Sequence, residues 1–92
     1  MSRLRKLARG QACMVRIPGV CNGNDETTVL AHLNGGGMGM KRHDLHGAWA
    51  CSDCHSWLDA GYAKNHSRDE RDLEHLRGVI RTQEALAAMG EL

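Results

Sequence analysis

Ala50-Cys51-Ser52-Asp53-Cys54-His55 decides how this 92-residue chain can fold. Two cysteines separated by two residues reach one metal ion from a single tight turn, and the histidine that follows opens a helix. A second pair lies upstream in Cys13-Met14-Val15-Arg16-Ile17-Pro18-Gly19-Val20-Cys21. Its spacing is wider than that of a standard knuckle, but Pro18-Gly19 is turn chemistry that brings the two ends back together. Four cysteines make a closed tetrahedral shell for zinc, and a closed shell marks a structural site and not a catalytic one.

Composition says why such a staple is needed. The chain has no Phe, one Tyr and two Trp, so the large side chains that usually supply core energy are scarce. A chain of this length buries little more than ~60% of its unfolded surface. A structural zinc contributes on the order of 10 kcal/mol to folding. Zinc is expected in place of two disulfides because the basic N-terminus, Met1 to Leu7, lacks the apolar core of a secretory signal. That points to a cytoplasmic protein whose thiols stay reduced. No apolar run is long enough to span a membrane.

The net charge of +1 is uninformative, but its distribution is not. Arg3, Arg5, Lys6, Arg9 and Arg16 precede the first acid, Asp25. A basic end on a near-neutral body suits phosphate contact, although a solvated helix face is the plainer alternative.

Outward from the knuckle the chain reads as one domain over residues 1–92, in the order helix, cysteine loop, strand, loop, strand, helix, helix. Ser2 caps a first helix that runs to about Arg9, with Gly10 as its stop. Thr27 to Leu33 is β-branched and short, a strand, and Leu45 to Ala50 is a second. The glycine-rich stretch from Asn34 to Met40 between them ends in Lys41 and Arg42. From Cys51 a helix runs through about Tyr62. Ser67-Arg68-Asp69-Glu70 is a capping box that starts a last helix to Met89. On it Leu73, Leu76, Ile80 and Ala87 recur at helical spacing, an apolar face for the core or for a dimer seam. Trp49 and Trp57 are expected in the core, and His66 and His75 on the surface.

His32 ends the first strand, and His55 follows the knuckle at the start of a helix. With zinc joining the knuckle to the Cys13–Cys21 loop, both histidines can line one cleft. Phosphodiester hydrolysis needs a base to deprotonate water and a cation to neutralise the phosphorane, and two histidines suit both needs.

Paired cysteines, a strand ending in His, a Gly-Gly loop and Cys-x-x-Cys-His together resemble the HNH (ββα-metal) endonucleases. The match is tightest over Arg5 to Gly10, Cys13 to Asn24, Leu30 to His32 and Ala50 to His55. There the chain is similar to the small proteins of lambdoid phages and prophages taken to be nucleases. The resemblance covers roughly residues 3 to 63. It implies an α+β, zinc-stabilised HNH-like domain with added N-terminal and C-terminal helices. It also implies an endonuclease that hydrolyses DNA phosphodiester bonds.

Carried over by position, Cys13, Cys21, Cys51 and Cys54 hold structural zinc. His32 is the general base, and His55 is the ligand of a catalytic divalent ion, usually Mg²⁺. The sequence departs from the family at two places. Ala31 stands where many members have a second metal ligand. The motif Asn is replaced by His46, with Asp44 two residues earlier; either could orient His32 or complete the metal shell, and Asp59 lies one turn beyond His55. Lys41, Arg42 and the basic N-terminal end would contact the DNA backbone. The alternative function is a zinc-knuckle module that binds nucleic acid or a recombination partner without cutting it.

Overall fold

The structure, a computed structural model, describes residues 3–33 and 43–92. The expected cap at Ser2, the glycine-rich loop, and Lys41 and Arg42 lie outside the described residues. Among the described residues the chain forms a small α+β unit of two antiparallel strands and three α-helices.

Helix α1, Arg3–Ala8, turns out of helical geometry at Gly10, whose φ of 85° only glycine adopts without strain. Its apolar side, Leu4, Leu7 and Ala8, packs with Trp49 and Leu86. The loop from Cys13 to Cys21 follows, folded back at Pro18-Gly19. The Cys21 N–H donates to the Ile17 carbonyl at 2.9 Å, and Val15 and Ile17 are buried beneath.

Strand β1, Val29–His32, pairs with β2, Gly47–Ala50, in the register Val29↔Ala50, Leu30↔Trp49, Ala31↔Ala48 and His32↔Gly47. Both strands are shorter than expected because 3-10 turns occupy their approaches. Asp25–Thr27 forms one, capped by the Asn24 side chain, and Asp44–His46 forms the other, capped by His43. Asn and His side chains offer the backbone local hydrogen bonds that compete with a ladder. Side chains alternate across a strand, so this hairpin has two apolar faces. Leu30 and Trp49 meet α1 and Leu86, whereas Ala31, Ala48 and Ala50 meet the cysteines, Trp57, Leu58 and Val79.

Helix α2, Ser52–Asp59, is capped by the Cys51 sulfur and ends before Tyr62, where a separate 3-10 turn spans Gly61–Lys64. Helix α3, Arg68–Ala88, opens on the expected capping box: the Glu70 N–H donates to Ser67 Oγ at 3.1 Å and the Ser67 N–H to Glu70 Oε1 at 2.7 Å. The bond from the Ser67 N–H, with the Ser67 hydroxyl behind it, favours the ionised carboxylate and holds Glu70 below its usual range.

The structure excludes the core alternative for the apolar stripe of α3 and overturns the surface placement of His75. Leu73, Leu76 and Ile80 are about half exposed and Ala87 is exposed too, so the apolar stripe faces outward. The inward face is Arg71, His75, Gly78, Val79, Thr82 and Leu86. Gly78 is the reason. A methyl there would sit 3.0 Å from Val15 Cγ2 and 3.2 Å from Ala48 Cβ, so the helix rests almost backbone to backbone on β2. An Ala-lined strand leaves no room for leucines; it accepts glycine and threonine. His75 is correspondingly buried, at 2% exposure, and is not a surface residue. His66 is exposed, its ring edge-on to Trp57, and both tryptophans are buried as expected.

Polar side chains of α3 hold nearly every other segment. Arg71 Nη1 donates to the Leu58 carbonyl (2.9 Å), its guanidinium lying over the Tyr62 ring. Arg81 Nη1 donates to the Met14 carbonyl (2.9 Å), and Gln83 Nε2 to the Leu45 carbonyl (2.6 Å). Thr82 Oγ1 accepts from the Trp49 N–H (2.9 Å) while donating to the Gly78 carbonyl. Each such bond contributes about 0.5–1.5 kcal/mol net and costs more when broken on one side only. No α-helix among the described residues is long and apolar enough to cross a membrane.

A candidate metal centre and a histidine–aspartate pair

The four cysteines converge. All are free thiols, and their sulfurs lie within 4.8 Å of one another. Cys21 Sγ and Cys51 Sγ are 3.9 Å apart. With Zn–S bonds of ~2.3 Å, a tetrahedral shell requires sulfurs separated by about 3.8 Å. The quartet therefore fits a zinc ion with little adjustment. Each arm also supplies a backbone N–H to a sulfur, Cys54 N to Cys51 Sγ (3.4 Å) and Arg16 N to Cys13 Sγ (3.5 Å). Arg16 reaches that position with a left-handed φ of 53°, and its side chain bonds the Cys13 carbonyl. Asn22 ties the arms together through Ser52 Oγ and Asp53 Oδ2.

The acidities of the thiols agree with this crowding. Hydrogen bonding from Cys54 draws the Cys13 thiol far down, whereas that same bond and burial push Cys54 up. Burial also raises Cys21. The ligand form of cysteine is the thiolate, and a cation among the four sulfurs would let them ionise together.

The second cluster lies at the other end of the hairpin. His32, the last residue of β1, places Nε2 2.6 Å from Asp44 Oδ1, and Arg5 of α1 places Nε 3.4 Å from that same oxygen. His32 and Asp44 are largely buried. His43 makes this possible: its Nδ1 accepts from the Leu45 N–H at 3.0 Å and winds the 3-10 turn that presents Asp44. A carboxylate only accepts, so His32 Nε2 carries the proton, leaving Nδ1 as the basic nitrogen of the neutral ring.

The other candidates stand apart. The His46 ring meets His43 edge-on at 6.4 Å, whereas the hydrogen-bond partner of His32 is Asp44. His55 is 43% exposed on α2, with Nε2 3.7 Å from Asp59 Oδ2 one turn on. Among the described residues the cysteines are the only compact group of three or more metal-ligating side chains, so His32, Asp44, His46 and His55 do not form one.

One participant carries no sequence signal of its own. His75 Nε2 sits 2.8 Å from the Ala31 carbonyl, directly before His32, while its Nδ1 is buried without a partner among the described residues. Burial lowers its basicity, so the ring is neutral at physiological pH. Residue 75 could have been placed by continuing the helical period inward from Arg71, but a polar inward face does not announce itself.

A small α+β unit with a cysteine quartet at one end of a hairpin and a histidine–carboxylate pair at the other is the class defined here. A family model described as "Putative nuclease YbcO" matches residues 2–91, and the chain belongs to that family. Two relatives of that name, from Escherichia coli (strain K12) and Enterobacteria phage 82, are each 48% identical over 93 aligned positions. These cover 90% of this chain and 88% of each relative. A solved structure titled "Structure of a putative bacteriophage protein from Escherichia coli str. K-12 substr. MG1655" superposes with a TM-score of 0.78. It is 41% identical, over 96% of this chain and all of that one.

Proposed function

We propose that this protein is an HNH-type endonuclease that hydrolyses phosphodiester bonds in DNA. His32 is its general base, and His55 is a ligand of its catalytic divalent ion. The single observation that carries the reading is the 2.6 Å bond between His32 and Asp44. A histidine whose tautomer is fixed by a carboxylate, at a strand end and beside a basic helix, is arranged as a base is. Family membership supports the reaction class, since the family and its relatives carry the name "Putative nuclease". The order hairpin, cysteine knuckle, helix supports the HNH assignment of the fold.

In this mechanism His32 Nδ1 takes a proton from the attacking water. The charge that develops on the ring is stabilised through Nε2–H by Asp44. Arg5, bound to that carboxylate, brings positive charge to the edge of the site where a phosphate would approach. The exposed faces of Lys6 and Arg9 on the same end extend the electrostatic attraction along the nucleic-acid backbone. A divalent ion, Mg²⁺ in this class, would neutralise charge on the phosphate when held by His55, with Asp59 as the neighbouring carboxylate.

The rival reading is a zinc module that binds nucleic acid without cutting it. One observation favours it: His32 bonds Asp44 while His55 lies 3.7 Å from a different carboxylate, Asp59, and Ala31 supplies no ligand between them. Nicking of supercoiled plasmid decides. Wild type with Mg²⁺ or Mn²⁺ cuts, whereas His32→Ala loses ~10²–10⁴-fold in rate and keeps its zinc, melting temperature and DNA affinity. Wild-type protein that never cuts, with any divalent ion, establishes the binding module.

A further inference from the structure

Helix α3 reaches the backbone beside both members of the histidine–aspartate pair. On one side His75 Nε2 lies 2.8 Å from the carbonyl of Ala31, the residue before His32. On the other, Gln83 Nε2 donates at 2.6 Å to the carbonyl of Leu45, the residue after Asp44. Both partners are backbone groups: the first bond fixes the peptide plane that leads into His32, and the second anchors the 3-10 turn that carries Asp44. Between them Thr82 Oγ1 accepts from the Trp49 N–H, so the helix and hairpin cannot slide past one another.

We propose that His75 and Gln83 are positioning residues: through the carbonyls of Ala31 and Leu45 they hold His32 and Asp44 at bonding distance. The strand end and the 3-10 turn belong to opposite ends of the long connection between β1 and β2, and the ladder closes at His32↔Gly47. Beyond that pair, among the described residues, only the Leu33 N–H to His46 carbonyl bond (3.1 Å) joins the two backbones. A strand end and a short turn, free to move independently, would not keep a 2.6 Å contact. One rigid helix gripping both does so. The chemistry of His75 fits the task. Buried and neutral, it has one donor, and the Ala31 carbonyl takes it.

This inference rests on the reading of His32 as general base, but its test does not depend on cutting. The long-range ¹H–¹⁵N spectrum of the His32 ring reports which nitrogen holds the proton. Wild type should show the Nε2–H tautomer locked by Asp44. Gln83 is only partly buried, so Gln83→Glu keeps the shape and sets an oxygen against the Leu45 carbonyl. It should yield a tautomer mixture at His32 with unchanged zinc content, and lower kcat on the order of 10-fold with KM nearly constant. Gln83→Lys restores an N–H donor and should recover the single tautomer and the rate. His75→Gln, which keeps a donor, should resemble wild type, and His75→Leu should resemble Gln83→Glu. A His32 ring that stays in one tautomer in Gln83→Glu and His75→Leu overturns the proposal, whether or not the protein cuts DNA. Normal tautomer behaviour with no wild-type cutting overturns the nuclease reading instead.

Discussion

Replacing Asp44 by asparagine separates the charge of the carboxylate from its shape. Two donors, His32 Nε2 at 2.6 Å and Arg5 Nε at 3.4 Å, converge on the same oxygen of Asp44. An amide keeps one oxygen that can accept from both donors, so Asp44→Asn should preserve the ring tautomer while removing the negative charge. A charged acceptor is worth about 1.5–3 kcal/mol in such a bond, and that stabilisation grows as His32 becomes imidazolium. Removing it slows proton abstraction by roughly 10- to 150-fold. The stability cost is smaller, under ~1 kcal/mol, because the Arg5 contact is long and Arg5 is partly solvated. Single-turnover cleavage of labelled duplex, with thermal melts and zinc analysis alongside, measures both quantities. A variant that cuts at the wild-type rate would refute the charge-stabilising role of Asp44. A loss far beyond ~10⁴-fold, more than a general base supplies, would mean that Asp44 acts directly on the substrate or the ion.

Two further outcomes test the fold. Purified protein should carry one tightly bound zinc, with four thiols titrating after chelation, and Cys54→Ala should leave a largely unfolded chain because the opened shell forfeits on the order of 10 kcal/mol; disulfides without zinc would contradict the sulfur geometry. On α3, Gly78→Val should destabilise by about 1–3 kcal/mol through overpacking against Val15 and Ala48. Ile80→Ser, on the exposed stripe, should change stability by less than ~0.5 kcal/mol, and denaturant midpoints compare the two.

The cysteine quartet was legible because its determinants are local: one knuckle, one Pro-Gly turn, and a composition that needs a staple. The capping box at Ser67 and Glu70 was legible for the same reason, each of its bonds spanning three residues. Strand ends were less so, since Asn24 and His43 divert the approaches into 3-10 turns through their own side chains. His43 also decides which of Asp44 and His46 meets His32, a choice that spacing alone leaves open. The apolar stripe of α3 suited the core or a dimer seam alike, and spacing alone does not choose between them. Apolar periodicity predicts burial only where the opposing surface has room for large side chains. Here it is Ala48 and Val15, so the leucines went out and glycine, threonine and histidine went in. That exchange hid His75 and Gln83, whose partners lie 44 and 38 residues away.

The two clusters divide the labour of the hairpin. Strands of four residues are too short to stand alone in water, and this pair is gripped at each end by a different device. Val29↔Ala50 adjoins Cys51 and the cysteines, while His32↔Gly47 adjoins the histidine and Asp44. About three residues of strand, or ~10 Å at ~3.3 Å per residue, separate them. An ion among the cysteines is thus too far from His32 to polarise water there, and its four sulfurs leave no open position for a substrate. A zinc ion held there would bear on chemistry at His32 only through the fold, whereas α3 would bear on it through two hydrogen bonds to the backbone. Loss of zinc should abolish structure and activity together. Loss of the α3 contacts should instead degrade the geometry of the pair in a chain that still folds.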